Sequence, residues 1–362
     1  MIAPKFSLEK ILGQLKIGAL LITDRTNIKY LTGFSGVSTK EREVFAVVTV
    51  NNTYLLTYPV SLQEIMPKKT SYQTLLITPD QKLNQHLLKI LGQEKIDSLG
   101  FEKDDLSVGE YELWSEKVKT NWIPTRGIIE NLRMIKTSEE INKIKKAATL
   151  TDKAFAFLKS KIRKGASEKS LALELEFFIK KNGGELAFPS IIAFNSHSSL
   201  PHHQPIDIRL EGNSLILIDL GAKVEGYCAD MARVLFYGAP DSRQVKIYET
   251  VLSAQKLALA QLKIGLPTSQ SDQTAREVIK SEGYPEYPHG LGHGVGLDIH
   301  EAPRLRHDSL EILQENMAVT VEPGIYLEGF CGIRIEDLVV LKKSGLDILS
   351  RSPKLIKDSI IL

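Results

Sequence analysis

The chain has 362 residues, with 46 lysines and arginines against 44 aspartates and glutamates and a formal charge of +2. That balance excludes nucleic acid and a membrane surface as expected partners, and the length admits two domains of ordinary size. Cys228 and Cys331 are the only cysteines, too few for a disulfide framework, so a reducing cytoplasm is the expected compartment.

In chain order, the start MIAPKFSLEKILGQLKIGALLIT has no charged region followed by an apolar stretch and a cleavage site. No apolar run reaches the roughly 18 residues of a membrane-spanning helix. GALLIT (18–23), VFAVVTV (44–50), TYLLT (53–57) and TLLIT (74–78) predict strands. DQKLNQHLLKILG (80–92) predicts an amphipathic helix capped by Asp80 and stopped at Gly92. These elements make residues 1–131 an α/β domain without an acid or histidine cluster. IPTRGIIENLRMIKTSEE leads into a second domain, 132–362.

There Thr137 and Glu140 form a capping box before a helix, and Ser167 caps a second helix ending at Gly183 and Gly184. Strands are expected near 215–219 and 230–236. Asp241 caps a third helix reaching about residue 265, and a fourth spans about 270–282. Strands near 318–322 and 333–341 follow. The order helix, helix, hairpin occurs twice, which predicts an internal pseudo-two-fold. Two unrelated α+β units fit the periodicity nearly as well.

Seven of the eight histidines lie between His197 and His307. HGLGHGVGLDIHE (289–301) holds three of them, spaced mostly by glycine. Glycine costs about 1 kcal/mol per residue in a helix, so an extended chain is expected. His289, Leu291, His293, Val295 and Leu297 then share one face. His300 lies an odd number of residues beyond His293, so it faces the other way or follows a bend. Glycine on the second face lets another backbone or a ligand approach.

Asp219 and Asp230 interrupt apolar strands, and their midpoint falls in KVEG. A symmetric hairpin sets them directly opposite, with Cβ atoms about 5 Å apart. Glu322 and Glu336 are likewise centred on Gly329. Like charges this close repel unless a cation separates them. Four carboxylates with one imidazole suit one or two small divalent cations, Mn²⁺, Co²⁺, Fe²⁺ or Zn²⁺. Cys228 and Cys331 read as buried apolar groups. His203 and His307 read as surface or supporting residues, and His197 stays open.

The order Asp219, Asp230, His293, Glu322, Glu336 resembles the ligand set of the pita-bread metallopeptidases. The motifs that carry the likeness are IDLGAKVEGYCADMAR, GHGVGLDIHEAP, VTVEPGIY and GIRIED. NIKYLTGF and LRMIKTSEEINKIKKAA resemble the aminopeptidase P and prolidase branch, whose members carry an N-terminal domain that methionine aminopeptidases lack. The resemblance implies a creatinase/prolidase-like α/β N-terminal domain followed by an α+β pita-bread catalytic domain with pseudo-two-fold symmetry. It implies two divalent ions, manganese first. Asp219 would hold one through both oxygens, Asp230 and Glu336 would bridge, and His293 and Glu322 would complete the other. Glu322 would pass a proton to the leaving prolyl nitrogen. His202 and His300 would contact substrate, as would Arg304 and Arg334. The expected partners are proline-containing peptides and a second copy of the chain.

Two departures stand out. Ala232 occupies a position where the family often has threonine, and LLTYPVSL (55–62) differs from the usual N-domain strand end. The expected activity is Xaa-Pro aminopeptidase, with Xaa-Pro dipeptidase as the alternative. A non-catalytic peptide-binding module and a metal-free creatinase-type hydrolase are disfavoured, because all five ligand positions are filled.

Overall fold

The apolar runs of the first domain are uninterrupted because both faces of their sheet are covered. The structure, a computed structural model, describes residues 3–34, 36, 41–61 and 72–361. The chain divides into two units, Met1–Arg133 and Met134–Leu362.

In the first unit, β1 (Ala19–Ile22), β2 (Val44–Thr49), β3 (Thr53–Thr57), β4 (Gln73–Leu76), β5 (Ser98–Glu102) and β6 (Asn121–Thr125) form one sheet in the order β4-β3-β2-β1-β5-β6. β2 runs antiparallel to both β1 and β3, while the outer pairings are parallel. Alternation along β1 sends Leu20 and Ile22 into one apolar cluster and Ala19 and Leu21 into another. Helices α1 (Ala3–Leu15), α2 (Arg25–Thr32), α3 (Leu83–Glu94) and α4 (Val108–Lys117) accompany the sheet. α3 corrects the expected caps. Thr78 and Gln81 close a turn first, so the helix starts after Lys82 rather than at Asp80. It runs through Gly92 to Lys95, which takes the left-handed conformation at φ 55°. Of the departing stretch 55–62, Leu62 lies outside the described residues.

In the second unit the capping residues start helices where their side chains accept amide protons. Thr137 opens α5 (Ser138–Lys161), Ser167 opens α6 (Glu168–Lys181) and Asp241 opens α7 (Ser242–Gln261). α8 (Thr268–Ser281) follows Pro267. α5 packs on α6 and α7 on α8. After the first pair come β7 (Glu185–Leu186), β8 (Ile191–Phe194), β9 (Ser214–Leu220), β10 (Ala222–Val224), β11 (Tyr227–Cys228) and β12 (Met231–Tyr237). After the second come β13 (Gly292–Gly294), β14 (Glu301–Leu305), β15 (Ala318–Val321), β16 (Gly324–Leu327), β17 (Cys331–Arg334) and β18 (Asp337–Lys342). Each helix pair thus precedes its own antiparallel hairpins. One apolar cluster joins α5 and α6 to β8, β9 and β12. The other joins α7 and α8 to β15 and β18 and to the opposite faces of β9 and β12. Among the described residues no helix is long and apolar enough to cross a membrane.

Candidate active site

The first hairpin turns at Glu225 and Gly226, both at positive φ, 51° and 85°. That pair of left-handed residues is what a tight two-residue turn requires. The turn centre therefore falls one residue later than the midpoint of Asp219 and Asp230. Asp219 pairs with Ala232, so the expectation of directly opposed aspartates is corrected. The two are diagonal neighbours, about 7–8 Å apart in an ordinary ladder. The second hairpin keeps its expected centre at Gly329. Gly324 pairs with Arg334 on one side and Val321 with Asp337 on the other, so Glu322 and Glu336 face each other between them. The Glu336 amide donates to the Ala232 carbonyl at 3.1 Å and ties the hairpins together. Beside that link, the buried Arg233 donates to the Ala232 and Glu336 carbonyls and to Asp337.

His293 arrives on β13, a short strand rather than a helix, with a bulge just after it. Its glycines are required by close backbone approach. A Cβ on Gly292 would lie 2.1 Å from the Thr320 carbonyl oxygen, and one on Gly294 2.1 Å from that of Ala302. Backbone atoms at that distance cannot swing aside. Gly292→Ala is therefore expected to destabilise the unit by about 1–3 kcal/mol. This should lower the melting temperature by roughly 2–4 °C per kcal/mol; an unchanged melting temperature would contradict the packing.

His293 Nδ1 lies 3.1 Å from the Gly294 carbonyl, which can only accept. Nδ1 thus carries the proton and Nε2 presents a lone pair. That lone pair lies 3.4 Å from Glu322 and 3.6 Å from Asp230. Burial lowers the His293 pKa to about 3, with His300 adding, so the ring is neutral. Burial raises Asp230 well above the usual carboxylate range, and Asp219 and Glu322 add to it. Glu336 is raised by burial and by Asp230, Glu322 and Asp219. Burial pushes Glu322 up to about 8, with Arg334 opposing and Asp219 reinforcing. Asp219 Oδ1, Asp230 Oδ1 and Glu336 Oε1 are buried without a hydrogen-bond partner among the described residues.

Clustered carboxylates beside an imidazole lone pair are costly as they stand. A cation among them reverses that cost, and hard oxygens with one imidazole suit a small divalent ion. Asp230, His293 and Glu336 each offer a ligand atom, all within 4.8 Å of one another.

Asp219 has a different neighbour. Arg334 Nε donates to its Oδ2 at 3.1 Å, and Nη2 contacts the same oxygen. Arg334 Nη1 donates to the Tyr326 hydroxyl at 2.8 Å, and that hydroxyl lies 3.0 Å from His289 Nε2. His289 Nδ1 donates to the Gly290 carbonyl at 2.7 Å. Burial lowers the His289 pKa to about 4, so this ring accepts the tyrosine proton. Arg334, expected as a substrate contact, borders the same cleft as Asp219, yet it is 3% exposed and its guanidinium is engaged by Asp219 and Tyr326. Tyr326 was not foreseen, because its hydroxyl is useful only once the hairpin and β13 meet.

A cleft of about 600 Å³ opens over these groups, lined by Asp219, Asp230, His293 and Glu322, with His202, His300, Arg304 and the apolar Phe188, Pro189 and Ile191. Glu336 is 1% exposed and lies close to Asp230 and His293. His300 stands nearly perpendicular to His293, with ring centroids 4.4 Å apart. Burial lowers the His300 pKa, and Arg304 adds to the effect. The Arg304 guanidinium reaches only the His300 carbonyl, at 3.4 Å, and has no ion pair among the described residues. His307 is exposed, whereas His203 is buried against Glu168, a pairing without a sequence signal. Cys228 and Cys331 are both free and buried.

The family description Creatinase/Prolidase N-terminal domain matches residues 7–135, and Metallopeptidase family M24 matches residues 142–343. The Xaa-Pro dipeptidase of Pyrococcus furiosus is 35% identical, over 96% of this chain and 97% of that protein. Among solved structures, an Xaa-Pro dipeptidase from Bacillus anthracis aligns at a TM-score of 0.93 with 32% identity, covering 99% of each chain. An X-Pro aminopeptidase from Thermotoga maritima aligns at 0.87 with 33% identity, covering 98% of this chain and 99% of that one. The chain belongs to metallopeptidase family M24, with a creatinase/prolidase N-terminal domain ahead of a pita-bread catalytic unit.

Proposed function

We propose that the protein is an Xaa-Pro dipeptidase, the alternative to the aminopeptidase expected first from sequence. The observation that carries this reading is Arg304, a cation in the cleft beside His300 without an ion pair among the described residues. A dipeptide ending in proline brings a free carboxylate to that point, and a guanidinium binds a carboxylate through charge-assisted hydrogen bonds. Likeness to the dipeptidases of P. furiosus and B. anthracis supports the same choice.

In this reading Asp219, Asp230, His293, Glu322 and Glu336 hold two divalent ions, and the orphaned buried oxygens fit that role. When bound, such ions lower the pKa of water toward neutrality and polarise the scissile carbonyl. Glu322 takes a proton from the attacking water and delivers it to the prolyl nitrogen. His300 and His202 donate hydrogen bonds toward the oxygen where charge develops. Arg304 fixes the substrate's carboxyl end, while Phe188, Pro189 and Ile191 give the cleft an apolar wall. Manganese as the resident metal, a homodimeric state and a cytoplasmic location belong to the same proposal.

The test is Arg304→Ala, assayed on Xaa-Pro dipeptides and on tripeptides containing Xaa-Pro. A lost charge-assisted contact of roughly 1.5–3 kcal/mol should reduce dipeptide cleavage about 10- to 100-fold. Tripeptides present an amide there and should lose far less. The likeness to the T. maritima aminopeptidase favours a second reading. Wild type that prefers tripeptides, with a neutral Arg304→Ala, would establish it instead.

A further inference from the structure

Glu168 begins α6, is fully buried, and has no part in the chemistry above. Two donors converge on each of its oxygens. His197 Nδ1 at 2.9 Å and the Phe194 amide at 2.8 Å reach Oε1. His203 Nε2 at 2.8 Å and the Ile206 amide at 3.1 Å reach Oε2. A carboxylate here only accepts, so both imidazoles present N–H groups to it. The two rings also stack, with centroids 4.8 Å apart.

The four donors bracket one stretch of chain. It leaves β8 at Phe194, passes through His202 and returns at Ile206. His202 is the exposed histidine of that stretch that lines the cleft. The stretch is held from its other side by β17: the Gly332 amide donates to Ser198 Oγ at 2.7 Å. A Cβ on Gly332 would lie 2.0 Å from the Ser198 carbonyl oxygen, so that contact is close. Glu168, His197 and His203 also have the spacing of metal ligands. Both carboxylate oxygens are already satisfied twice, however, so an ion there would replace existing bonds, and the hydrogen-bonded arrangement is the favoured one.

We propose that Glu168 is a positioning residue: by gathering His197, His203 and the Phe194 and Ile206 amides onto one carboxylate, it sets where His202 enters the cleft. This rests on reading the cleft as an Xaa-Pro site. His202 touches substrate and Glu168 acts through it. Their losses should therefore not add, because residues acting through one another are coupled in a double-mutant cycle.

Glu168→Gln keeps the volume but turns an N–H donor toward two of the four incoming donors. It should lower kcat about 10- to 100-fold with KM changed less than about twofold, the pattern of a contact made in the transition state. In a His202→Ala background the same change should alter kcat less than about twofold. Full multiplication of the two losses would overturn the proposal. If Glu168→Gln fails to fold, His203→Leu, which removes one donor, should show a smaller loss that again vanishes beside His202→Ala. Amide hydrogen exchange provides a readout independent of activity. The Phe194 and Ile206 amides should exchange at least about tenfold faster in the variant, since local opening sets their protection. Unchanged protection overturns the proposal. If wild type cleaves no Xaa-Pro peptide, the functional reading fails, and the exchange result still decides whether Glu168 holds the loop.

Discussion

Asp230→Ala is expected to empty the dialysed protein of metal and to lower kcat/KM by on the order of 10³-fold or more. Asp230 is 5% exposed, and its Oδ1 has no hydrogen-bond partner among the described residues. It shares a ligand-spaced group with His293 and Glu336. Loss of a hydrogen-bonding partner behind a metal ligand costs about 10–100-fold in affinity, and loss of the ligand itself costs more. His300→Ala should behave differently. Its ring faces His293 edge to face, half exposed in the cleft, with no carboxylate of the cluster hydrogen-bonded to it. It should keep its metal and lose about 10²–10³-fold in kcat, the usual cost of removing one donor to developing charge. Elemental analysis of both variants, beside their steady-state kinetics, separates the roles. Equal metal loss in the two would show that the histidines of the glycine-rich stretch do not divide as described.

The second large effect is on stability. Arg334→Met leaves Asp219 buried without its cation and leaves the Tyr326 hydroxyl without its donor. Breaking one partner of a buried ion pair costs about 3–5 kcal/mol, because the remaining charge is uncompensated. The apo protein should melt roughly 6–20 °C lower, at about 2–4 °C per kcal/mol. Tyr326→Phe removes one hydroxyl and keeps the pair, so it should cost about 1–3 kcal/mol. Differential scanning calorimetry of the chelated proteins checks both. A KM increase in Arg334→Met with no loss of stability would instead assign Arg334 to substrate binding.

The sequence by itself determined what depends on local rules. Thr137, Ser167 and Asp241 cap helices because a side-chain oxygen two or three residues before a free amide satisfies it in any context. The apolar runs of β1, β2 and β3 were legible because a sheet covered on both faces tolerates little else. The symmetry of Glu322 and Glu336 about Gly329 survived because that hairpin keeps one register along its whole length. The extended glycine-rich stretch was legible for a similar reason, since glycine disfavours helix wherever it stands.

Tertiary structure decided the rest. Asp219 came to face Ala232 because Glu225 and Gly226 adopt positive φ, which moves the register by one residue. Spacing cannot show such a shift, since the turn conformation selects it. Arg334 meets Asp219 because two hairpins far apart in sequence bury both groups together, where either charge left unpaired would be costly. The tautomers of His289 and His293 were fixed by the carbonyls of Gly290 and Gly294, which orient their rings only in the folded loop. Glu168, His197 and His203 lack any motif, being 29 and 35 residues apart. Their meeting depends on packing α6 beside the end of β8, because long-range hydrogen bonds between polar groups form only where folding has removed water as the competing partner.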